Sequence, residues 1–203
     1  MLRDLKQYIF VIRELTAREI KRKYARSFLG IIWSVLNPLL FMIVMSIVFS
    51  GFATNRTTYP VYYVTGFTMW AMFNTATTTS MTAFEDNKSL FQKTKLPREI
   101  FVLSRDYTAL VNLGFSLIAL AIVLIVFRVR LNWTVIIFAV DIFFELLFSI
   151  GVSFILATIF VFYKDIKFLW RNFIVLLVHM VALYIPLERY PVSLHEITRL
   201  NPL

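Results

Sequence analysis

Near residue 27 the sequence changes abruptly from strongly basic to strongly apolar, and this change limits the class of fold. Five basic residues precede it: Arg18, Lys21, Arg22, Lys23 and Arg26. No charged residue then occurs from Ser27 to Asn55. A cationic run followed by more than about 18 uncharged, mainly apolar residues is typical of a transmembrane helix whose basic end lies at the cytoplasmic face. The stretch is too long, and too far from Met1, to be a cleaved signal peptide.

The composition extends this conclusion to the whole chain. Of its 203 residues, 59% are hydrophobic and 16% are charged, whereas a soluble domain has about 45–50% apolar and about 25% charged residues. The chain contains no cysteine, which excludes disulfides and thiolate chemistry. Its two histidines, His179 and His195, are far apart, so we expect no metal site.

Five transmembrane helices are predicted. Each is about as long as the roughly 20 residues that a bilayer requires, or longer. They cover residues 28–52, 60–84, 106–127, 131–163 and 168–186. Before them, the apolar residues within 1–26 fall on one loose helical stripe, and basic residues fill much of the rest. This pattern predicts an amphipathic helix in the membrane interface. A soluble helix would show the same stripe, but this one leads directly into a span. The chain is therefore expected to be an all-α integral membrane protein with one domain over 1–203.

The distribution of basic residues predicts the orientation. With the N-terminus inside, residues 1–26, 85–105 and 164–171 are cytoplasmic and carry 16 of the 21 lysines and arginines. This bias places the N-terminus in the cytoplasm. Because the positive charge gathers at the ends of apolar spans, the formal net charge of +9 indicates membrane topology rather than a nucleic-acid partner.

Two acids lie within the fourth predicted span. Asp141 and Glu145 are four residues apart and share one helical face. Acidic residues inside a membrane suggest a function such as a proton relay. That span is longer than a bilayer needs, however, so Asp141 is expected at the outer interface instead. Farther along, Ser149, Ser153 and Ala157 predict a small-residue packing face.

No catalytic residues are expected. None of the five glycines begins a GxxxxGK[ST] phosphate loop, so the chain does not hydrolyse ATP by that route. No Ser-His-Asp grouping is visible, and Asp141 and Glu145 are the only closely paired carboxylates in an apolar span. The chain is therefore not expected to be an enzyme or to bind a cofactor of its own.

A motif at the start of the first span resembles a known family. Its residues are Tyr24, Ser27, Leu29, Gly30, Trp33, Asn37 and Pro38. We call this set the first-span motif. It resembles the beginning of the membrane domain of ABC-2 type permeases, and is most similar to subunits that export lipid-linked polysaccharides such as O-antigen, capsule or teichoic acid. Asn37-Pro38 also has a simpler interpretation, since a buried proline kinks a transmembrane helix.

The longest polar loop, residues 85–105, carries a second resemblance. Its KLPREI run is similar to the family signature that follows the second span, which implies a coupling helix over 88–98 docked on a nucleotide-binding subunit. The implied coupling residues are Lys88, Leu90, Phe91, Lys95, Pro97 and Arg98. Leu90 and Phe91 are expected to be anchors. A solvated loop bound to anionic headgroups is the alternative.

A third run, Tyr163-Lys164-Asp165-Ile166, resembles the "yRDi" sequence that ends the fourth span in the family. Lysine replaces arginine there, which removes the bidentate fork. Residues 187–203 resemble the family's extracytoplasmic re-entrant segment. The family has six spans, so a sixth is expected after Leu203 and its absence suggests a shortened chain.

The resemblance implies a homodimer in the inner membrane of a bacterium or archaeon, surrounded by membrane lipids. Two separate ABC ATPase subunits would bind ATP and magnesium, and the substrate would be a lipid-linked glycan. The candidate residues lining its path are aromatic: Tyr59, Tyr62, Phe67, Trp70, Phe73 and Tyr184. Two other functions remain open, a proton-coupled secondary transporter that uses Asp141 and Glu145, and a membrane scaffold whose basic loops recruit a cytosolic partner.

Overall fold

The computed structural model describes residues 2–25, 27–49, 59–94, 96–129, 132–180 and 183–184, without the side chains of residues 2–5 and 91. Within these ranges all regular secondary structure is helical, which confirms the all-α prediction. The helices are α1 (Leu2–Tyr24), α2 (Ile32–Phe49), α3 (Tyr59–Ser80), α4 (Ala83–Asp86), α5 (Lys88–Lys93), α6 (Glu99–Val126), α7 (Thr134–Phe162) and α8 (Ile166–Met180).

Three of the described helices, α2, α6 and α7, are long and apolar enough to cross a membrane. The second predicted span corresponds to α3, which has 22 residues but is rich in threonine. The fifth corresponds to α8, which has 15 residues. The predicted interface helix corresponds to α1, whose 23 residues include three basic ones in the last turn. Residues 185–203, with the predicted re-entrant segment, lie outside the described residues.

Helix α3 is the centre of the bundle, since α2, α6, α7 and α8 all pack against it. Its threonines explain how a polar sequence occupies that position. Thr65 and Thr77 donate hydrogen bonds to the carbonyls of Val61 and Phe73, each 2.8 Å long and four residues back. A hydroxyl bonded to its own helix needs no water. This bonding allows Thr77 to be completely buried in the bundle and Thr65 to be partly buried.

Helix α6 begins at Glu99, so the prediction that the third span starts at residue 106 is wrong. The error has a physical cause. Two adjacent charged residues in the sequence, Arg105 and Asp106, resemble a loop boundary. In the structure both belong to α6 and are buried in the bundle. Arg105 pairs with Glu19 and Asp86, and Asp106 accepts a hydrogen bond from Ser153. Internal partners therefore allow the helix to continue through these charges.

The predicted packing face on α7 is confirmed, because Ser149, Ser153 and Ala157 are all completely buried. The two serines differ in their partners. Ser153 Oγ donates a 2.7 Å hydrogen bond to Asp106 Oδ1, which joins α7 to α6. Ser149 Oγ has no hydrogen-bond partner among the described residues.

This difference predicts that the same substitution, made one helical turn apart, will have different effects on the stability of the chain. Ser153→Ala should lower the stability of the chain by about 1–3 kcal/mol, because it leaves a buried carboxyl oxygen without its partner. Ser149→Ala, the matched control, should be neutral or slightly stabilising. Thermal unfolding of the purified variants in one detergent checks this. Equal midpoints for the two variants would contradict the assigned role of the Asp106–Ser153 bond.

Candidate functional site

The turn between α1 and α2 is built by the first-span motif. Ser27 N–H donates to the Tyr24 carbonyl at 3.1 Å, and Gly30 N–H donates to Ser27 Oγ at 3.1 Å. Gly30 has a φ of +51°, a left-handed conformation that favours glycine. The Tyr24 hydroxyl contacts Ser34 Oγ across the turn. The motif thus fixes how the basic helix α1 joins the apolar helix α2.

Next to this turn lies a partly open cavity of about 250 Å³, bordered by the end of α1 and by α2, α3 and α6. Four motif residues line it: Tyr24, Trp33, Asn37 and Pro38. The structure therefore brings most of the predicted motif to one site. We call it the motif cavity.

The motif cavity is lined by hydrogen-bonding groups from all four helices. They are Lys23, Tyr24, Ser34, Asn37, Thr68, Thr75, Asn112 and Ser116. Among the described lining residues only Lys23 is charged, and its Nζ lies 5.2 Å from the centre of the Tyr24 ring. Asn112 Oδ1 is buried and has no hydrogen-bond partner among the described residues. With one cation and no acid, the lining suits a hydroxyl-rich or anionic group.

Pro38 contributes to the cavity through its backbone. Helix α2 is continuous through Pro38, which is buried. Proline has no N–H to donate to the carbonyl four residues earlier, which here belongs to Ser34. Ser34 and Pro38 both line the cavity, so the missing helical bond lies at its wall.

The predicted aromatic path residues divide into two groups. Phe67 lines the motif cavity. Tyr59, Trp70 and Phe73 are instead buried in the core formed by α3 with neighbouring helices, and Tyr62 and Tyr184 pack partly exposed against that core. In a single chain these five rings do not border the cavity, and their proposed role in a path stays a prediction.

An aromatic column nevertheless leads away from the cavity. Phe41 stacks on Phe67 at 5.7 Å between ring centres, Phe67 on Tyr63 at 5.7 Å, and Tyr63 on Tyr184 at 6.4 Å. The Tyr59 hydroxyl holds the far end by donating to the Tyr184 carbonyl at 2.9 Å. Phe41 and Tyr63 were not among the predicted path residues, because the sequence does not show which rings of different helices stack on one another.

The predicted coupling helix over 88–98 is shorter in the structure. Helix α5 ends at Lys93, Thr94 is extended, and α6 starts at Glu99. Pro97 explains part of this, because proline disfavours helical backbone in the residue before it. The predicted loop over 85–105 therefore contains the end of α4, the whole of α5 and the first turns of α6.

The coupling residues do not share one surface. Lys88 and Arg98 are exposed and Pro97 is half-buried. Leu90 packs against the buried cluster of Ala83, Phe101, Val102 and Ala157, so it holds α5 on its own bundle. Lys95 and the side chain of Phe91 lie outside the described residues.

The lysine of the third motif makes a defined contact. Lys164 Nζ pairs with a carboxylate oxygen of Glu85 and lies 4.3 Å from the centre of the Phe160 ring. Both partners of the ion pair are about half exposed. Such a pair contributes roughly 0–1 kcal/mol. It ties the end of α7 to α4 weakly.

Asp141 and Glu145 lie in different surroundings despite their spacing. Asp141 is exposed, whereas Glu145 is buried and its Oε2 has no hydrogen-bond partner among the described residues. The structure thus does not place the two carboxylates in one common pocket.

Comparison with known proteins supports the sequence resemblance. A profile of the family described as ABC-2 type transporter matches residues 11–203. The O-antigen export system permease protein RfbA of Myxococcus xanthus is 29% identical over 189 residues, which cover 93% of this chain and 73% of that protein. A protein of the same description from Klebsiella pneumoniae is 26% identical over 202 residues, covering 97% of this chain and 77% of that protein.

A second Klebsiella pneumoniae protein of that description is 25% identical over 202 residues, with coverage of 97% and 77%. The relatives align over almost all of this chain, so the match includes both the first-span motif and the polar loop over 85–105. Since the family profile also covers far more than half of the sequence, the chain belongs to the ABC-2 type transporter family.

Proposed function

We propose that this chain is the permease subunit of an ATP-driven exporter that moves a lipid-linked polysaccharide across the cytoplasmic membrane. The observation that carries the proposal is the motif cavity, where the family's first-span residues meet polar groups of α3 and α6. The names of the relatives, all O-antigen export permeases, support the same substrate class.

The cavity's chemistry fits the head of such a substrate. Amide and hydroxyl side chains bind sugar hydroxyls, and Lys23 provides one cation for a phosphate. Its volume of about 250 Å³ lies just below the roughly 300–1,000 Å³ typical of small-molecule pockets. We infer that it receives a single sugar or phosphate group rather than a length of polymer.

The polymer itself requires a longer path, which we assign to the interface of a homodimer. Phe67, Tyr62 and Tyr184 are partly exposed and provide aromatic faces for sugar rings. Tyr59, Trp70 and Phe73 pack behind them and keep those faces in place. Aromatic rings supply a large contact area with little conformational freedom to lose.

ATP hydrolysis is assigned to a separate ABC ATPase, two copies of which bind ATP and magnesium. Helix α5 is the proposed docking element because Leu90 fixes one side of it to the bundle while Lys88 and Lys93 are exposed. The excess of basic residues in 1–26, 85–105 and 164–171 supports a cytoplasmic N-terminus and a location in the inner membrane.

A proton-coupled mechanism is not favoured. It would use Asp141, which is exposed, and Glu145, which is buried, whereas the family profile and the names of the relatives support an ABC exporter. A scaffold function explains the exposed basic residues but leaves the polar motif cavity inside the bundle without a purpose.

The role of the cavity predicts that filling it stops export. Ala71 of α3 lines the cavity, and Ala71→Leu should lower surface glycan by about tenfold while protein levels stay normal, because the added volume excludes the substrate head group. The control is Ala121→Leu, the same change at an exposed position of α6. Glycan is measured on intact cells. Normal export by Ala71→Leu would remove the cavity from the proposed path.

The docking role of α5 predicts a loss of ATPase binding when its charge is reversed. Lys88→Glu combined with Lys93→Glu should reduce copurification of the ATPase by about tenfold, since like charges at an interface are repulsive. Lys6→Glu with Arg13→Glu reverses two exposed charges of α1 and should have less effect. Equal binding by both double variants would argue against α5 as the docking element.

The ATP-driven mechanism predicts that Asp141 is dispensable. Asp141→Asn should leave export within about twofold of the unmodified chain, because an exposed carboxylate at a helix surface carries no buried proton pathway. Export is compared at equal protein levels. A tenfold loss with this single variant would favour the proton-coupled alternative.

A further inference from the structure

The interior of the bundle contains one arginine that joins two distant segments. Arg105 of α6 pairs through Nη1 with Glu19 of α1, and through Nη2 with Asp86 of α4 at 2.6 Å. Its side chain is 7% exposed, compared with 20% for Glu19 and 37% for Asp86. The planar guanidinium presents several donors in a fixed fork, so one side chain holds both carboxylates at a set separation.

Each carboxylate has a further partner. Thr108 Oγ1 lies 3.2 Å from Glu19 Oε2, and Thr82 Oγ1 donates to Asp86 Oδ2 at 2.9 Å. Helix α1 is also held on α6 without Arg105, because Thr16 Oγ1 donates to the Ser104 carbonyl at 3.1 Å. Arg105 is therefore not needed to dock α1. What it adds is a direct link from α1 to α4.

On the α4 side, that link continues into the proposed docking helix. A single residue, Asn87, separates α4 from α5 and is buried. Its Nδ2 donates to the Ala83 carbonyl at 2.9 Å, while its own carbonyl accepts from Leu90 N–H at 3.0 Å. Because these bonds fix α4 and α5 together, a displacement of α5 also displaces Asp86.

On the α1 side, the link continues to the motif cavity. Glu19 lies in the same helix as Lys23 and Tyr24, the two α1 residues that line the cavity. Tyr24 in turn contacts Ser34 of α2. Glu19 is about one helical turn from the cavity wall. A movement of Glu19 is therefore expected to move that wall as well.

We propose that Arg105 is a positioning residue that transmits movement of the α4–α5 segment to the motif cavity through Glu19 and α1. The inference rests on the proposed function, which supplies the ATPase that moves α5. The exposed Lys164–Glu85 pair touches α4 as well, but it leads to α7 and not to the cavity.

The test uses the absence of native cysteine. Ser116, a cavity residue, is replaced by cysteine, and its rate of reaction with a maleimide is measured in the complete transporter with and without a non-hydrolysable ATP analogue. We expect nucleotide to change this rate by about fivefold, the low end of typical coupling between two sites. Asp86→Asn should abolish the change, and so should Arg105→Lys, because an ammonium group lacks the fork.

Glu85→Gln is the matched control. It neutralises the neighbouring carboxylate and breaks only the exposed pair with Lys164, so the response to nucleotide should persist. Binding of the ATPase should be normal in all variants, which distinguishes lost transmission from lost docking. If Arg105→Lys does not fold, Asp86→Asn decides alone, because Asp86 is partly exposed.

Three results would overturn the inference. A nucleotide response in Asp86→Asn equal to that of the unmodified chain shows that the link transmits nothing. An unmodified chain that binds its ATPase but shows no response leads to the same conclusion, and in both cases the proposed function stands. Failure of any ABC ATPase to copurify with the unmodified chain rejects the proposed function, and the inference with it.

Discussion

Polar groups inside this bundle must find partners within the chain, because lipid offers no hydrogen bonds. The rest of the structure follows from that constraint. The threonines of α3 bond to their own helix, which allows a polar helix to occupy the centre. Asp106 reaches Ser153, and Arg105 reaches Glu19 and Asp86. Since each contact between separate elements joins segments distant in sequence, the buried polar groups also determine which helices lie together.

The rule is relaxed at several described residues, among them Glu145, Ser149 and, in the motif cavity, Asn112. Among the lining residues of the cavity, Pro38 removes a helical donor from α2, and Asn112 has a buried side-chain oxygen without a hydrogen-bond partner among the described residues. Unpartnered polar groups cost free energy, and two such features beside one cavity support the proposed ligand site. The left-handed turn at Gly30 contributes to the same site, since it lies between Tyr24 and Trp33, which both line the cavity.

Sequence patterns predicted the helices better than their ends and surroundings. The alternation of apolar and basic segments indicated each long helix, because hydrophobic length alone determines a span. It misplaced the start of α6, since Arg105 and Asp106 look like a loop until their partners in α1, α4 and α7 are known. Likewise, spacing grouped Asp141 with Glu145, but only packing decides that one is exposed and the other buried.

The proposed docking segment and the motif cavity are separate in sequence, but Arg105 and Glu19 connect them in space. Exposed ion pairs such as Lys164–Glu85 reform easily in water and transmit little force. A nearly buried guanidinium is different, because losing either carboxylate removes one of its two charged partners in a place that water reaches poorly. The cheaper response to a displacement of α4 is for Glu19 to follow, and with it the end of α1 that forms the cavity wall. The internal partners of Arg105 allow α6 to continue past a charged residue. The same contacts make Arg105 a stiff connection between the proposed docking segment and the cavity.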